Sequence, residues 1–293
     1  MKQYQTHLHK WDNYCQKKGV SPYFASVSDG LNFLTECYES GYSYSRLNTA
    51  RSALSSVLYL PTGTFGSHPL VNRLMKGVFN SRPSLSKYRS TWDVNLVLDY
   101  LKQIPLETVS LKQLSHKCVM LLALLTAQRI QTIKKMTVQN VSFTFQGCEI
   151  FVNSVLKTTK PGKHLDTLKL PCYSNEDICV VTHLKKYLSM TQSLRGDVQQ
   201  LFITINQPHK GVTTDTVARW LRSVMASSGV DTTTYGPHST RAASVSQARR
   251  NNTCIDTILA AGGWTNAKTF AKFYNKPLND GAFASAIFDS NSP

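Results

Sequence analysis

Residues Gly236–Ala248 read GPHSTRAASVSQA. Pro237 suits the first turn of a helix, where its missing N–H costs nothing. A helix starting there puts His238 near its opening and Arg241 one turn later on the same face. The free N–H groups and the macrodipole of a helix N-terminus attract anions. A histidine and an arginine projecting from that end strengthen the attraction. An H-x-x-R pair is also common as plain structure, so the neighbouring segments have to decide.

Downstream, Gly262–Pro277 read GGWTNAKTFAKFYNKP. Trp264 follows a Gly-Gly turn and Tyr274 closes the next helix. Phe270, Phe273 and Tyr274 form a stripe at helical spacing, whose plain reading is core packing. Upstream, Arg129 in LLTAQRIQTIKKM directly follows a very apolar helix, where a surface residue at a helix break is the ordinary expectation. Between them, CEIFVNSVL (148–156) and LDTLKLP (165–171) read as strands joined by KTTKPGKH, whose Pro-Gly is a turn signal. Lys157, Lys160 and Lys163 sit on that hairpin, as solvated charge or as donors to a nucleic-acid groove.

The chain has 293 residues, 41% apolar and 10% aromatic, enough to fold around a real core. Its 33 Lys and Arg against 17 Asp and Glu give a net charge of +16. Such an excess repels itself, and a polyanionic partner is the natural reason to keep it, nucleic acid before an anionic membrane. Residues 1–88 carry ten basic and four acidic side chains, and residues 89–293 carry 23 and 13. Both halves can therefore meet phosphates, as in a clamp. Seven cysteines without a CxxC pair argue against a disulfide framework or a zinc ribbon. The N-terminal MKQYQTHLHKW has no signal-peptide run, and CVMLLALLTA (118–127) is too short to span a bilayer. The expectation is a soluble protein of a reducing compartment, nuclear if the host is a eukaryote.

Residues 1–80 read as short helices. VSDGLNFLTECYESG stops at Gly41, and SRLNTARSALSSVLYL is halted by Pro61. NSRPSLSKYRST (80–91) reads as a linker. Beyond it come the helices DVNLVLDYLKQI, LSHKCVMLLALLTA and RIQTIKKM. After the hairpin follow ICVVTHLKKYLSMTQSL, TDTVARWLRSVMASSG, the segment from Pro237, TCIDTILAAGG with a Thr253/Asp256 capping box, and NAKTFAKFY. The fold class is mainly α with a small antiparallel sheet (α+β).

An arginine, a lysine on a β-hairpin, H-x-x-R, then G-W with a tyrosine about ten residues on: in that order the sequence resembles the tyrosine recombinase (phage integrase-like) superfamily. TAQRIQTI, PHSTRAAS and AGGWTNAKTFAKFYNKP are closest in wording to the recombinases of DIRS-like and Ngaro-like eukaryotic retroelements. The motifs cover roughly residues 90–280. The resemblance implies a helical core-binding domain over 1–85 and an integrase-like catalytic domain over 86–293, together a C-shaped clamp on DNA. It implies strand exchange for a mobile element through a covalent 3′-phosphotyrosine, without metal, ATP or another cofactor. The partners would be double-stranded DNA and a homo-tetramer on two duplexes, with no membrane and no small-molecule substrate.

By the same resemblance Arg129 and Arg241 clamp the phosphate, His238 bonds it and shuttles a proton, and Trp264 donates its indole N–H. Tyr274 is the nucleophile and Lys157 the general acid, with Lys160 as the alternative. A tyrosine hydroxyl ionises near pH ~10 in water, so the nucleophile needs a cationic setting and a base. The sequence departs from the commoner pattern at Thr132, where bacterial members carry an acid three residues after the first arginine. DGAFASAIFDS (280–290) would dock into a neighbouring protomer, or fold back on its own domain. Two other functions fit the same residues: type IB topoisomerase-like cleavage and religation, and a catalytically silent DNA-binding descendant.

Overall fold

The structure is a computed structural model. It describes residues 3–61, 63–83, 88–264, 267, 270, 271 and 274–278. Contacts divide the chain into two compact units, Met1–Lys87 and Tyr88–Pro293.

The first unit is built from α1 (Gln5–Lys18), α2 (Val27–Glu39), α3 (Tyr44–Ser55) and α4 (Pro69–Ser81). Local chemistry sets their ends. Gly19 stops α1 at φ +66°. Ser26 and Asp29 form a capping box at the start of α2, and Pro69 opens α4 behind His68. Trp11, Phe33, Leu34, Leu47, Leu54 and Phe65 are buried at its centre. Helix α3 ends at Ser55, six residues before the expected stop at Pro61. The chain after it is used elsewhere: the Tyr59 N–H donates to the Tyr23 carbonyl at 2.8 Å.

The second unit contains α5 (Val94–Lys102), α6 (Leu111–Thr126), α7 (Ile130–Lys134), α8 (Val180–Thr191), α9 (Thr214–Ser227), α10 (Ser239–Arg250) and α11 (Ile255–Gly262). Its strands are β1 (Val141–Phe143), β2 (Gly147–Ile150) and β3 (Leu168–Pro171), antiparallel in the order β1-β2-β3. The fold is therefore mainly helical with one small antiparallel sheet, as the sequence implied. Helix α6 is buried on nearly every face, and α8, α9 and α10 pack around it. Among the described residues no helix is long and apolar enough to cross a membrane.

Several boundaries differ from the sequence reading. β2 and β3 are shorter than the runs that announced them, and β1 lacked a clear signal. β2 ends at Ile150, although one further bond in the same register follows it, the Phe151 N–H on the Asn140 carbonyl at 3.0 Å. Tyr88–Thr91, read as linker, belong to the second unit: Ser90 Oγ lies 2.9 Å from Tyr235 Oη, and the Thr91 N–H donates to the Pro277 carbonyl at 2.8 Å. The Thr253/Asp256 capping box does not form. Helix α11 begins one residue later, with Cys254 at the cap and its Sγ 2.9 Å from Thr257 Oγ1.

The core also holds groups that titrate. Burial, reinforced by the charge of Lys112, lowers the His116 pKa from 6.5 to about 4. Burial likewise lowers that of His183. Unfolded imidazoles take up a proton near pH ~6.5, whereas the folded protein resists until lower pH. The unfolded state then binds more protons, so stability is full above pH ~6.5 and falls as the pH drops toward the folded value. Thermal melts should show Tm declining between pH 6.5 and about 4. His116→Phe keeps a ring beside Trp220, 5.6 Å away, and should flatten part of that decline. An unchanged slope in the variant would remove His116 as a source of the acid sensitivity.

Candidate active site

The end of α6 is where the site begins. Ala127 takes the left-handed conformation at φ +48° and turns the chain sharply. Arg129 then caps α7, half-buried, at the edge of an open pocket of about 520 Å³. Lys157, His238, Arg241 and Tyr274 line the same pocket. Five of the residues singled out in the sequence thus converge from four segments spread over almost 150 positions. Lys160 is not among the walls.

Each side chain is presented by local hydrogen bonding. Lys157 sits in a turn closed by the Thr159 N–H on the Leu156 carbonyl at 3.0 Å. Thr159 Oγ1 accepts the Leu156 N–H at 2.9 Å and braces the turn. Lys157 does not directly follow a strand, as the reading of 148–156 implied, because β2 has ended at Ile150. Lys160 and Lys163 instead flank Pro161–Gly162, joined by reciprocal backbone bonds of 3.0 and 2.9 Å. His238 is the exposed N-cap of α10, which begins at Ser239 and not at Pro237. Its imidazole makes no capping bond, so it stays available to the pocket.

Arg241 is 5% exposed. Its guanidinium donates to the Ala127 carbonyl at 2.7 Å and the Gly262 carbonyl at 2.6 Å. It lies over the Trp264 ring, 3.7 Å from its centroid, and 5.3 Å from that of Tyr274. Its Nε is buried without a partner. Burial first, then the like charge of Arg129, hold the Arg241 pKa below the usual arginine value, and Tyr274 partly offsets this. A buried cation facing a second cation is a site that gains by receiving an anion.

Trp264 stands behind this pair. It is not part of the pocket wall, and its Nε1 is buried without a partner. The indole face presented to Arg241 is a cation–π seat, 3.7 Å from ring centroid to guanidinium carbon. Phe270 packs edge-on against the same indole at 5.7 Å. Phe273 and residues 280–290 lie outside the described residues. The half-buried Tyr274 follows, its ring 4.8 Å from Trp264. Thr132 is buried and bonds Arg129 only through the backbone, its N–H on the Arg129 carbonyl at 2.8 Å. No hydrogen bond joins the Arg129 guanidinium to another described residue.

Two of the lining residues that sequence reasoning did not single out are polar and well placed. Gln128 is 5% exposed, and its Nε2 donates to the Ala261 carbonyl at 2.8 Å, tying the end of α6 to the end of α11. An amide directly after a buried apolar run was its signal. Asp215, in the first turn of α9, is the one carboxylate among the described residues lining the pocket, and a helix N-terminus favours it there. No group of three or more His, Cys, Asp or Glu among the described residues is placed to hold a metal ion.

The same architecture occurs in solved proteins. One is the XerH site-specific recombinase bound to palindromic difH substrate, in a post-cleavage complex: TM-score 0.65 and 13% identity, over 99% of this chain and 80% of that one. Another is the Tn1549 transposon integrase in complex with transposon right end DNA: TM-score 0.60 and 16% identity, over 91% and 86%. XerA recombinase gives a TM-score of 0.51 and 16% identity, over 99% and 92%. At such identities the likeness is one of fold alone. No curated protein matches the chain significantly. The phage integrase family matches residues 93–280, and the chain belongs to that family.

The hinge between α11 and Trp264 tolerates no side chain. A Cβ on Gly262 would sit 1.6 Å from Trp264 Cζ3. Gly262→Ala should displace the indole from Arg241 and cost about 1–3 kcal/mol. The readouts are a lowered Tm and a shifted tryptophan emission; emission and Tm equal to the parent's would refute the close approach.

Proposed function

We propose that this protein is a DNA strand-exchange enzyme, a site-specific recombinase or integrase of a mobile element akin to the DIRS-like and Ngaro-like retroelements. The observation that carries the reading is the pocket. It gathers Arg129, Lys157, His238, Arg241 and Tyr274 around a volume of about 520 Å³, with Asp215 the one lining carboxylate among the described residues. In this reading the anion that the cationic pocket receives is the scissile phosphate. Arginine has five N–H donors, so Arg241 can keep its two carbonyl bonds and still address a phosphate oxygen alongside Arg129. Their charge stabilises the transition state as negative charge spreads over the equatorial oxygens.

Tyr274 Oη attacks phosphorus and gives its proton to His238, forming the new P–O bond of a 3′-phosphotyrosine. The bond from phosphorus to the 5′-oxygen breaks, and Lys157 Nζ protonates the departing oxygen. A 5′-hydroxyl from another strand then reverses these steps, with no ATP because the phosphotyrosine conserves the linkage energy. The first unit carries ten of the basic side chains and serves as the helical core-binding domain on the duplex. Four protomers assemble on two duplexes; sedimentation of the DNA complex as a protein monomer would argue against this assembly.

Covalent capture tests the reading on a target of any sequence. A pool of nicked duplexes with randomised arms, captured by covalent attachment, should yield adducts with the parent protein and none with Tyr274→Phe. Specific DNA binding without any adduct would leave a silent DNA-binding descendant. Supercoil relaxation without exchange between two captured sites would leave topoisomerase-like religation.

Lys157→Ala should slow adduct formation about 10²–10⁴-fold. A substrate whose leaving group is a 5′-thiol, which departs without protonation, should restore the rate. If the thiol substrate is slowed equally, Lys157 is not the proton donor.

A further inference from the structure

Ser246 lies on α10, five residues beyond Arg241, and is 1% exposed. A serine inside a helix ordinarily points to solvent or bonds back to its own preceding turn. Ser246 does neither. Its Oγ donates to the Tyr274 carbonyl at 2.8 Å and accepts the Lys276 N–H at 3.0 Å. One hydroxyl therefore grips the backbone on both sides of Asn275.

The chain needs this grip where it occurs. The Tyr274 and Asn275 N–H groups are the last to bond back along the segment, both to the Phe270 carbonyl, at 2.8 and 3.1 Å. Beyond that point the backbone is held from outside the segment: the Lys276 N–H by Ser246 Oγ and the Pro277 carbonyl by the Thr91 N–H at 2.8 Å. Helix α10 itself is firmly seated. Ala243 and Val245 are buried in it, and Ser244 Oγ donates to the Leu124 carbonyl. The helix that presents His238 and Arg241 to the pocket also carries Ser246, about 7.5 Å further along its axis.

We propose that Ser246 is the positioning residue for Tyr274, fixing the nucleophile to the rod that carries the phosphate-binding side chains. The proposal rests on the reading of Tyr274 as nucleophile given above. Attack requires the reacting atoms close and aligned, and a displacement of about 1 Å costs about 10²-fold in rate. Loss of the hydroxyl releases the tyrosine's backbone while leaving Arg129, Lys157, His238 and Arg241 in place.

The test compares the parent protein with Ser246→Ala, Ser246→Thr and Ser244→Ala. Ser246→Ala should form the DNA adduct about 10–100-fold more slowly, bind DNA as before, and lose exchange protection at the Lys276 amide. Ser246→Thr keeps the hydroxyl and should recover both the rate and the protection. Ser244→Ala removes a comparable bond from the same helix without touching Tyr274. It should lower Tm while leaving the adduct rate and the Lys276 amide unchanged.

Adduct formation at the parent rate by Ser246→Ala, or unchanged Lys276 exchange, would overturn the proposal. So would an equal loss of rate in Ser244→Ala, which would make the effect one of stability. A parent protein that forms no adduct, while its Lys276 amide responds as described, would instead overturn Tyr274 as the nucleophile. The backbone grip would then stand as a structural clasp.

Discussion

The second unit depends on one guanidinium. Arg241 holds the Ala127 carbonyl, 114 residues away in sequence, and the Gly262 carbonyl, 21 residues away. These carbonyls end two helices, α6 and α11, and each would otherwise be an unpaired acceptor in a buried place. By satisfying both, Arg241 fixes the two breaks from which Arg129 and Trp264 depart. Gln128 repeats the stitch with the Ala261 carbonyl at 2.8 Å. A charged hydrogen bond to a buried carbonyl is stronger than a neutral one, which suits a joint that must stay closed.

The same residue explains the electrostatics of the pocket. An arginine so buried is costly unless its charge is shared out. Here two carbonyl dipoles and the faces of Trp264 and Tyr274 share it, but its Nε stays unpaired and Arg129 faces it with the same sign. The protein tolerates an arrangement that favours an incoming anion. Asp215 at the rim is too little to neutralise it. Arg241 can hold both carbonyls and still face the pocket because a guanidinium has five N–H donors.

Much of this was legible in the sequence. The apolar run of α6 announced a buried helix, and the order Arg129, hairpin lysine, H-x-x-R, G-W, Tyr274 announced the family. Pro161–Gly162 marked its turn correctly. The choice between Lys157 and Lys160 was not legible, since both are exposed lysines on one hairpin; only the turn braced by Thr159 brings Lys157 to the pocket wall. Trp264 read as a donor through the family resemblance, because an indole carries an N–H that can donate. Burial behind Arg241 gives it a packing role that no local signal records.

By itself the sequence determined the helical periodicity, the kinds of side chain available for phosphate chemistry, and their order along the chain. These follow from nearest-neighbour sterics and residue chemistry, which are local. Only the tertiary structure decided which backbone carbonyls Gln128, Arg241 and Ser246 would satisfy. Their partners lie 133, 114 and 28 residues away, and a hydrogen bond is specified by where two groups meet in space. Tyr274 could be picked out from one motif; the bond that holds its backbone carbonyl comes from a serine in another.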